Sequence, residues 1–150
     1  MIKTINLGEA NESIESLRIL KEKKQNSRYI RIINSNIKEL NKVIGRKVFK
    51  KDALYIHTLT LWEIMQPVGR QGKHHYHGLT PEDVYNALSR LQYSKEVHPS
   101  YEDRFIVITD IVVKDDVRLV VIVTPNETLV KEGIDNVVVI ITIYPSNRKK

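Results

Sequence analysis

The spacing of apolar residues divides the chain into a helical first part and a strand-rich second part. From Ser27 onward, isoleucine and leucine recur at alternating steps of three and four, at Ile30, Ile33, Ile37, Leu40 and Ile44. This spacing predicts one apolar stripe on a helix ending at Gly45, since glycine is favoured after helix ends. Residues 11–24 show similar spacing. We therefore predict a helical hairpin over residues 11–44.

The second part of the chain has strand-like composition. Three segments are dense in Val, Ile and Thr, namely 104–113, 117–124 and 136–144. Three residues separate the first two segments, which is short enough for an antiparallel hairpin. A further strand is predicted near residues 53–58. The resulting fold class is α+β, with N-terminal helices followed by a mainly antiparallel four-stranded sheet and helices packed on one face.

Two domains follow from this order of elements. Residues 1–45 form the N-terminal helical hairpin, which could serve as a lid, a dimerisation element or a partner-binding element. Residues 46–150 form the main α+β domain. A homodimer through residues 11–44 is one expectation, because an apolar stripe on an exposed hairpin is a suitable contact between two helical pairs.

Two short polar motifs predict helix starts before the strands. Thr60 and Glu63 have the spacing of a capping box, which predicts a short helix over about residues 61–66. Thr80, followed by Pro81 and two acidic residues, predicts a second helix that runs through about Tyr93. The segment between the two helices contains three glycines and is expected to be largely a loop.

Composition narrows the class of protein. The 150 residues contain no cysteine, which excludes disulfides, cysteine-ligated zinc and thiol catalysis. No apolar run approaches the roughly 20 residues that span a bilayer, and the N-terminus lacks a secretory signal, so we expect no membrane contact and a cytoplasmic protein. The net charge of +6 favours a polyanionic partner such as RNA.

Three of the five histidines lie within four positions, in the loop before the Thr80 helix. RNA can be cleaved without a metal or cofactor when its own 2′-OH attacks the phosphate. The reaction then needs a base, an acid and groups that stabilise the charge on phosphorus. His75 and His77 are the candidate base and acid, with His74 and His57 behind them.

Other polar residues are candidates for contacts with phosphate or RNA. The cationic candidates are Lys73, Arg104 and Arg148. Hydroxyl groups that could hold a phosphate oxygen recur along the last predicted strand, at Thr142, Tyr144 and Ser146, with Thr142 included in the catalytic set. Tyr76, among basic residues, could stack on a base.

Other interpretations of the same residues remain open. His75 and His77 at alternate positions could instead begin a metal site, although nothing local supplies a third ligand. His57, in an apolar strand, could be structural, and His98, before Pro99, is interpreted as a turn residue. The chain could also be a non-catalytic module that binds nucleic acid or protein, with residues 11–44 as its interaction element.

The order of elements resembles one known group of nucleases. A strand with Tyr55-Ile56-His57, a short helix, a Lys-His-rich loop, the Leu79-Thr80-Pro81 helix and a meander opening with Arg104 are similar to the barnase–EndoU–colicin–RelE-like (BECR) ribonuclease superfamily. The resemblance covers about residues 53–147 and is strongest to phage and polymorphic-toxin versions. It implies an endoribonuclease with its site on the open sheet face. It also implies a possible cognate antitoxin or immunity protein.

Overall fold

The computed structural model describes residues 2–69 and 75–146, and these residues form an α+β fold around one seven-stranded sheet. The strands are β1 (Thr4–Asn6), β2 (Tyr29–Ile33), β3 (Leu54–His57), β4 (Glu96–Pro99), β5 (Phe105–Val113), β6 (Val117–Leu129) and β7 (Ile134–Ser146). The helices are α1 (Ala10–Glu22), α2 (Leu40–Ile44), α3 (Thr58–Ile64) and α4 (Pro81–Arg90). Short 3₁₀ turns precede α2 at Ile37–Glu39 and follow α4 at Leu91–Tyr93.

The sheet is mixed, so the prediction of a four-stranded, mainly antiparallel sheet is wrong. Its strand order is β1-β2-β3-β7-β6-β5-β4. β1 pairs with β2 in parallel, and β3 pairs with β7 in parallel, whereas the other neighbours are antiparallel. The predicted meander is present as β5, β6 and β7. The sheet is larger because the N-terminal segment adds two strands and β4 adds an edge.

The predicted helical hairpin over residues 11–44 is also wrong, because a strand replaces most of its second helix. In β2, Ile30 and Ile32 are buried on either side of the exposed Arg31, which is the alternation of a strand. Asn34 and Asn36 then have positive φ angles of 70° and 46°, which no α-helix can accommodate. The apolar stripe with steps of three and four therefore spans a strand, a turn and the short α2.

The helices pack on one face of the sheet around a single large core. Leu17 of α1, Leu61 of α3 and Leu88 of α4 are fully buried in this core. Strand residues from both predicted domains, including Ile32 and Ile140, belong to the same buried cluster. The first 45 residues thus contribute two strands and two helices to the same sheet and core as the rest of the chain.

The opposite face of the sheet is only partly covered. A second apolar cluster joins Tyr55 and Val139 to Leu129, near the end of the β6–β7 hairpin. This hairpin end lies over the β2–β3 side of the face. The part formed by β4 to β7 carries the exposed His98 and the half-exposed residues Glu96, Arg118, Thr142 and Tyr144, and we call it the open face.

The two predicted helix starts have different outcomes. The short helix α3 begins earlier than predicted, because the His57 imidazole caps it and the Thr60–Glu63 box does not. At α4 the prediction is confirmed: the Thr80 hydroxyl accepts the Asp83 N–H, and the Asp83 carboxylate accepts the Thr80 N–H, both at 3.0 Å. This capping box fixes the entry of the chain into α4.

We predict that Thr80→Ala lowers the free energy of unfolding by about 1 kcal/mol, because the N–H of Asp83 loses its acceptor. Urea denaturation of the full chain measures this loss. Thr80→Ser retains a hydroxyl and is expected to keep most of the stability. An equal loss in both variants would show that the hydroxyl is not responsible.

Candidate functional site

Two of the predicted loop histidines, His75 and His77, are among the described residues, and their surroundings differ. His75 is exposed, whereas His77 is half-buried with its ring 5.9 Å from the ring of Tyr144. Tyr76 is buried with its ring edge-on to Trp62 at 5.7 Å, so packing occupies the aromatic surface proposed for base stacking. Lys73, His74 and Arg148 lie outside the described residues.

His57 caps the start of α3. Its Nδ1 accepts the N–H of Leu59 at 3.1 Å, and its ring lies edge-on to that of Tyr29 at 5.0 Å. The ring lies in a groove between β2 and the end of the β6–β7 hairpin, lined also by Lys131 and Glu132. These contacts account for a histidine at this position without a catalytic role.

Arg104 lies far from the loop histidines. It precedes β5 and pairs with Glu102 at 3.5 Å. Tyr144, the residue that His77 contacts, is level with Ile108 in the sheet register. Four positions along β5 and two strand spacings therefore separate the Cα atoms of Arg104 and Tyr144, which corresponds to roughly 16 Å. The loop histidines and Arg104 do not converge on one phosphate-sized space.

The surroundings of His57 and His77 favour the neutral imidazole. Burial lowers the pKa of His57 below its ordinary value of 6.5, with Glu132 opposing the shift. Burial also lowers the pKa of His77, and the nearby His75 adds to the shift. Each group therefore binds a proton more readily in the unfolded chain than in the folded one.

We predict that the free energy of unfolding decreases as the pH falls below the unfolded histidine pKa of about 6.5. The folded state resists protonation at His57 and His77, so acid favours the unfolded chain until the lowered pKa values are reached. Urea denaturation at about pH 7.5 and about pH 5 measures the effect. A His57→Asn, His77→Gln variant is expected to show a smaller decrease. His75→Gln, which removes an exposed imidazole and with it the smaller cause of the His77 shift, is expected to reduce the decrease much less than the double variant does. An equal reduction in His75→Gln would contradict the assignment.

A different polar cluster lies on the open face. Glu96 and His98 project to the same side of β4, because they are two positions apart in a strand. One carboxylate oxygen of Glu96 lies 3.0 Å from Nε2 of His98. The other lies 3.8 Å from a guanidinium nitrogen of Arg118 on β6. We call these three residues the Glu-His-Arg cluster.

The predicted hydroxyl residues of β7 share this face with the Glu-His-Arg cluster. Ser146 is directly opposite Arg118, and Tyr144 is directly opposite Val120, so their side chains point to the same side as the cluster. Thr142 follows at the next position on that side. The structure thus brings Thr142, Tyr144 and Ser146 onto one surface with a carboxylate, an imidazole and a guanidinium.

No family model, curated protein or solved structure matches this chain. Within residues 2–69 and 75–146, no three His, Asp or Glu side chains are grouped so that they could hold a metal ion. No helix of the same residues is long and apolar enough to cross a membrane.

Sequence reasoning missed the Glu-His-Arg cluster. A histidine before a proline suggests a turn at His98, yet β4 is an edge strand, where proline is tolerated. The alternation Glu96-Val97-His98 was the available signal, since it places an apolar side chain between two polar ones. Arg118 is 22 positions further along the chain, and only strand pairing brings it near.

Proposed function

We propose that this protein is a metal-independent endoribonuclease whose site is the Glu-His-Arg cluster on the open face. The observation that carries the proposal is the contact of one carboxylate with both an imidazole and a guanidinium, on an exposed sheet surface. These are the three chemical groups that cleavage through the 2′-OH requires. The net charge of +6 supports a polyanionic substrate.

Each residue of the Glu-His-Arg cluster then has a defined role in the cleavage reaction. The Glu96 carboxylate takes the proton of the 2′-OH, whose oxygen attacks phosphorus. Protonated His98 gives its proton to the 5′-oxygen as the P–O5′ bond breaks. The Arg118 guanidinium stabilises the negative charge that develops on the phosphorane oxygens. The products are a 2′,3′-cyclic phosphate and a free 5′-hydroxyl, and the proton count balances because one proton is taken and one is given.

The hydroxyl residues of β7 supply secondary contacts. Tyr144 lies three strands from Glu96 in the register, roughly 14 Å across the sheet. That distance is too long for the scissile phosphate but suits a neighbouring phosphate of the same RNA strand. His77, packed against Tyr144, orients this ring and need not transfer protons.

The resemblance to the BECR superfamily agrees with a site on the open face of the sheet and with an intracellular toxin-like role. The proposal includes a cognate antitoxin or immunity protein as partner, because an unrestrained ribonuclease would damage its host. In this proposal Glu96 and His98, instead of the loop residues His75 and His77, are the base and the acid. Residues 1–45 belong to the sheet and core that support the site.

The test is incubation of the full chain with a single-stranded RNA in the presence of EDTA. We expect fragments ending in a 2′,3′-cyclic phosphate. Cleavage that is abolished by EDTA and restored by zinc or manganese would overturn the proposal in favour of a metal-dependent hydrolase. Salt-sensitive RNA binding without cleavage would overturn it in favour of a non-catalytic binding module.

A further inference from the structure

A groove begins beside the Glu-His-Arg cluster and runs around the edge of the sheet, and we call it the edge groove. Its volume is about 840 Å³, within the range of small-molecule sites. Its lining includes Glu96 and Arg118 of the cluster together with Arg90, Tyr93 and Asp110. The groove is thus continuous with the proposed site of cleavage.

Tyr93 presents an unusual aromatic surface in this groove. Tyr93 is 54% exposed and is the last residue of the 3₁₀ turn that follows α4. The guanidinium of Arg90 lies 4.5 Å from the centre of its ring. The ring is therefore supported by a cation and still accessible to solvent, as in a platform for a planar ligand.

Arg90 is itself held in place. Its Nε and Nη2 donate to the two carboxylate oxygens of Asp110 at 3.2 Å and 2.7 Å. This hydrogen bond with Arg90 is the main reason why the pKa of Asp110 lies below its ordinary value. The two-bond geometry fixes the plane of the guanidinium, and the guanidinium in turn limits the positions of the Tyr93 ring.

We propose that the edge groove binds an unpaired base of the substrate, stacked on Tyr93, next to the phosphate at the Glu-His-Arg cluster. This inference rests on the proposed function and specifies its substrate class as single-stranded RNA. A base within a duplex is already stacked on both sides, so it cannot reach a tyrosine at the sheet edge. Stacking tolerates every base, because each has a π-face.

The test uses fluorescence anisotropy of the full chain with two probes. One is a 5′-fluorescein-labelled hexamer of 2′-O-methyl ribonucleotides, which lacks the attacking hydroxyl and is not cleaved. The other has the same backbone with abasic residues. For the wild-type chain we expect the hexamer with bases to bind about 5- to 150-fold more tightly than the abasic one, the effect of one stacked base.

Variants assign the difference to Tyr93. Tyr93→Ala is expected to remove most of the preference for the hexamer with bases, whereas Tyr93→Phe is expected to keep it. Tyr101→Ala is the matched control, because Tyr101 is 78% exposed but outside the groove. Equal thermal midpoints of wild type and Tyr93→Ala exclude a folding defect. An unchanged preference in Tyr93→Ala, or an equal loss in Tyr101→Ala, would overturn the inference.

The two proposals fail in distinguishable ways. If the wild-type chain cleaves RNA in EDTA but Tyr93→Ala retains the preference for bases, only the groove assignment is overturned. If Tyr93→Ala removes the preference but no chain cleaves RNA, base binding stands and catalysis is overturned. Failure of the wild-type chain to bind either probe, together with no cleavage of RNA in EDTA, overturns both.

Discussion

Replacement of Glu96 by glutamine is expected to lower the rate constant for RNA cleavage by about 10²- to 10⁴-fold, because the amide cannot accept the proton of the 2′-OH. Glutamine has nearly the same shape, so substrate binding should change much less than kcat. The measurement is the single-turnover cleavage rate of a labelled RNA in EDTA, at enzyme concentrations that saturate the substrate.

Glu102→Gln is the matched control for this experiment. Glu102 is also a carboxylate paired with an arginine, Arg104, but it lies in the turn between β4 and β5 and outside the Glu-His-Arg cluster. Its replacement should leave the cleavage rate nearly unchanged. A full rate in Glu96→Gln would exclude Glu96 as the base, and a comparable decrease in Glu102→Gln would point to a general effect of charge.

Phe49→Ala is expected to lower the free energy of unfolding by about 3–5 kcal/mol, because it opens a cavity in a closed core. Phe49 is 0% exposed and its ring centre lies 6.0 Å from that of Phe105, which begins β5. The backbone at Phe49 is tied to α2 by Asn41, whose side chain accepts the Phe49 N–H at 2.8 Å and donates to the Phe49 carbonyl at 2.9 Å. The cavity therefore cannot close easily. Urea denaturation measures the loss.

Val130→Ala provides the comparison for the core substitution. Val130 is 83% exposed near the end of the β6–β7 hairpin, so its truncation should change the free energy of unfolding by no more than about 0.5 kcal/mol. A similarly small effect of Phe49→Ala would mean that residues 46–50 lie loosely on the surface. Their content of lysine and arginine in the sequence suggests such a surface position.

The Phe49 segment illustrates a limit of sequence reasoning. Val48 and Phe49 interrupt a run of basic residues over positions 46–51, and this composition by itself indicates an exposed, charged segment. The structure buries both apolar side chains while the flanking Lys47 and Lys50 remain exposed. A short irregular segment has no periodicity, so only its packing against Phe105 reveals which side chains belong to the core.

The second helix of the predicted hairpin over residues 11–44 is wrong for a related reason. Isoleucines at steps of three and four suit a helix, but isoleucine is β-branched and also favours strands. β2 lies between β1 and β3, and its pairing with β3 provides backbone hydrogen bonds and burial for Ile30 and Ile32. The spacing of apolar residues within one segment cannot reveal this stabilisation of β2, because the partner strand is more than 20 positions away.

The histidines show the same difference between what local sequence predicts and what strand pairing decides. Sequence density favours His75 and His77, yet the imidazole in contact with a carboxylate is His98, and the same carboxylate pairs with Arg118. The cluster forms because β4 and β6 both pair with β5, which aligns residues that are distant in the chain. Residue types alone could suggest acid–base chemistry, but they could not show which of the Glu, His and Arg residues lie together.

What the sequence determined by itself is local. The capping box at Thr80, the end of a helix at Gly45 and the antiparallel β5–β6 hairpin depend on interactions between residues close in the chain, so the pattern of a few positions predicted them. The tertiary structure alone decided the seven-stranded order, the burial of Phe49 and the meeting of Glu96, His98 and Arg118. Those features depend on contacts between distant segments, whose free energy is gained only when the whole sheet has formed.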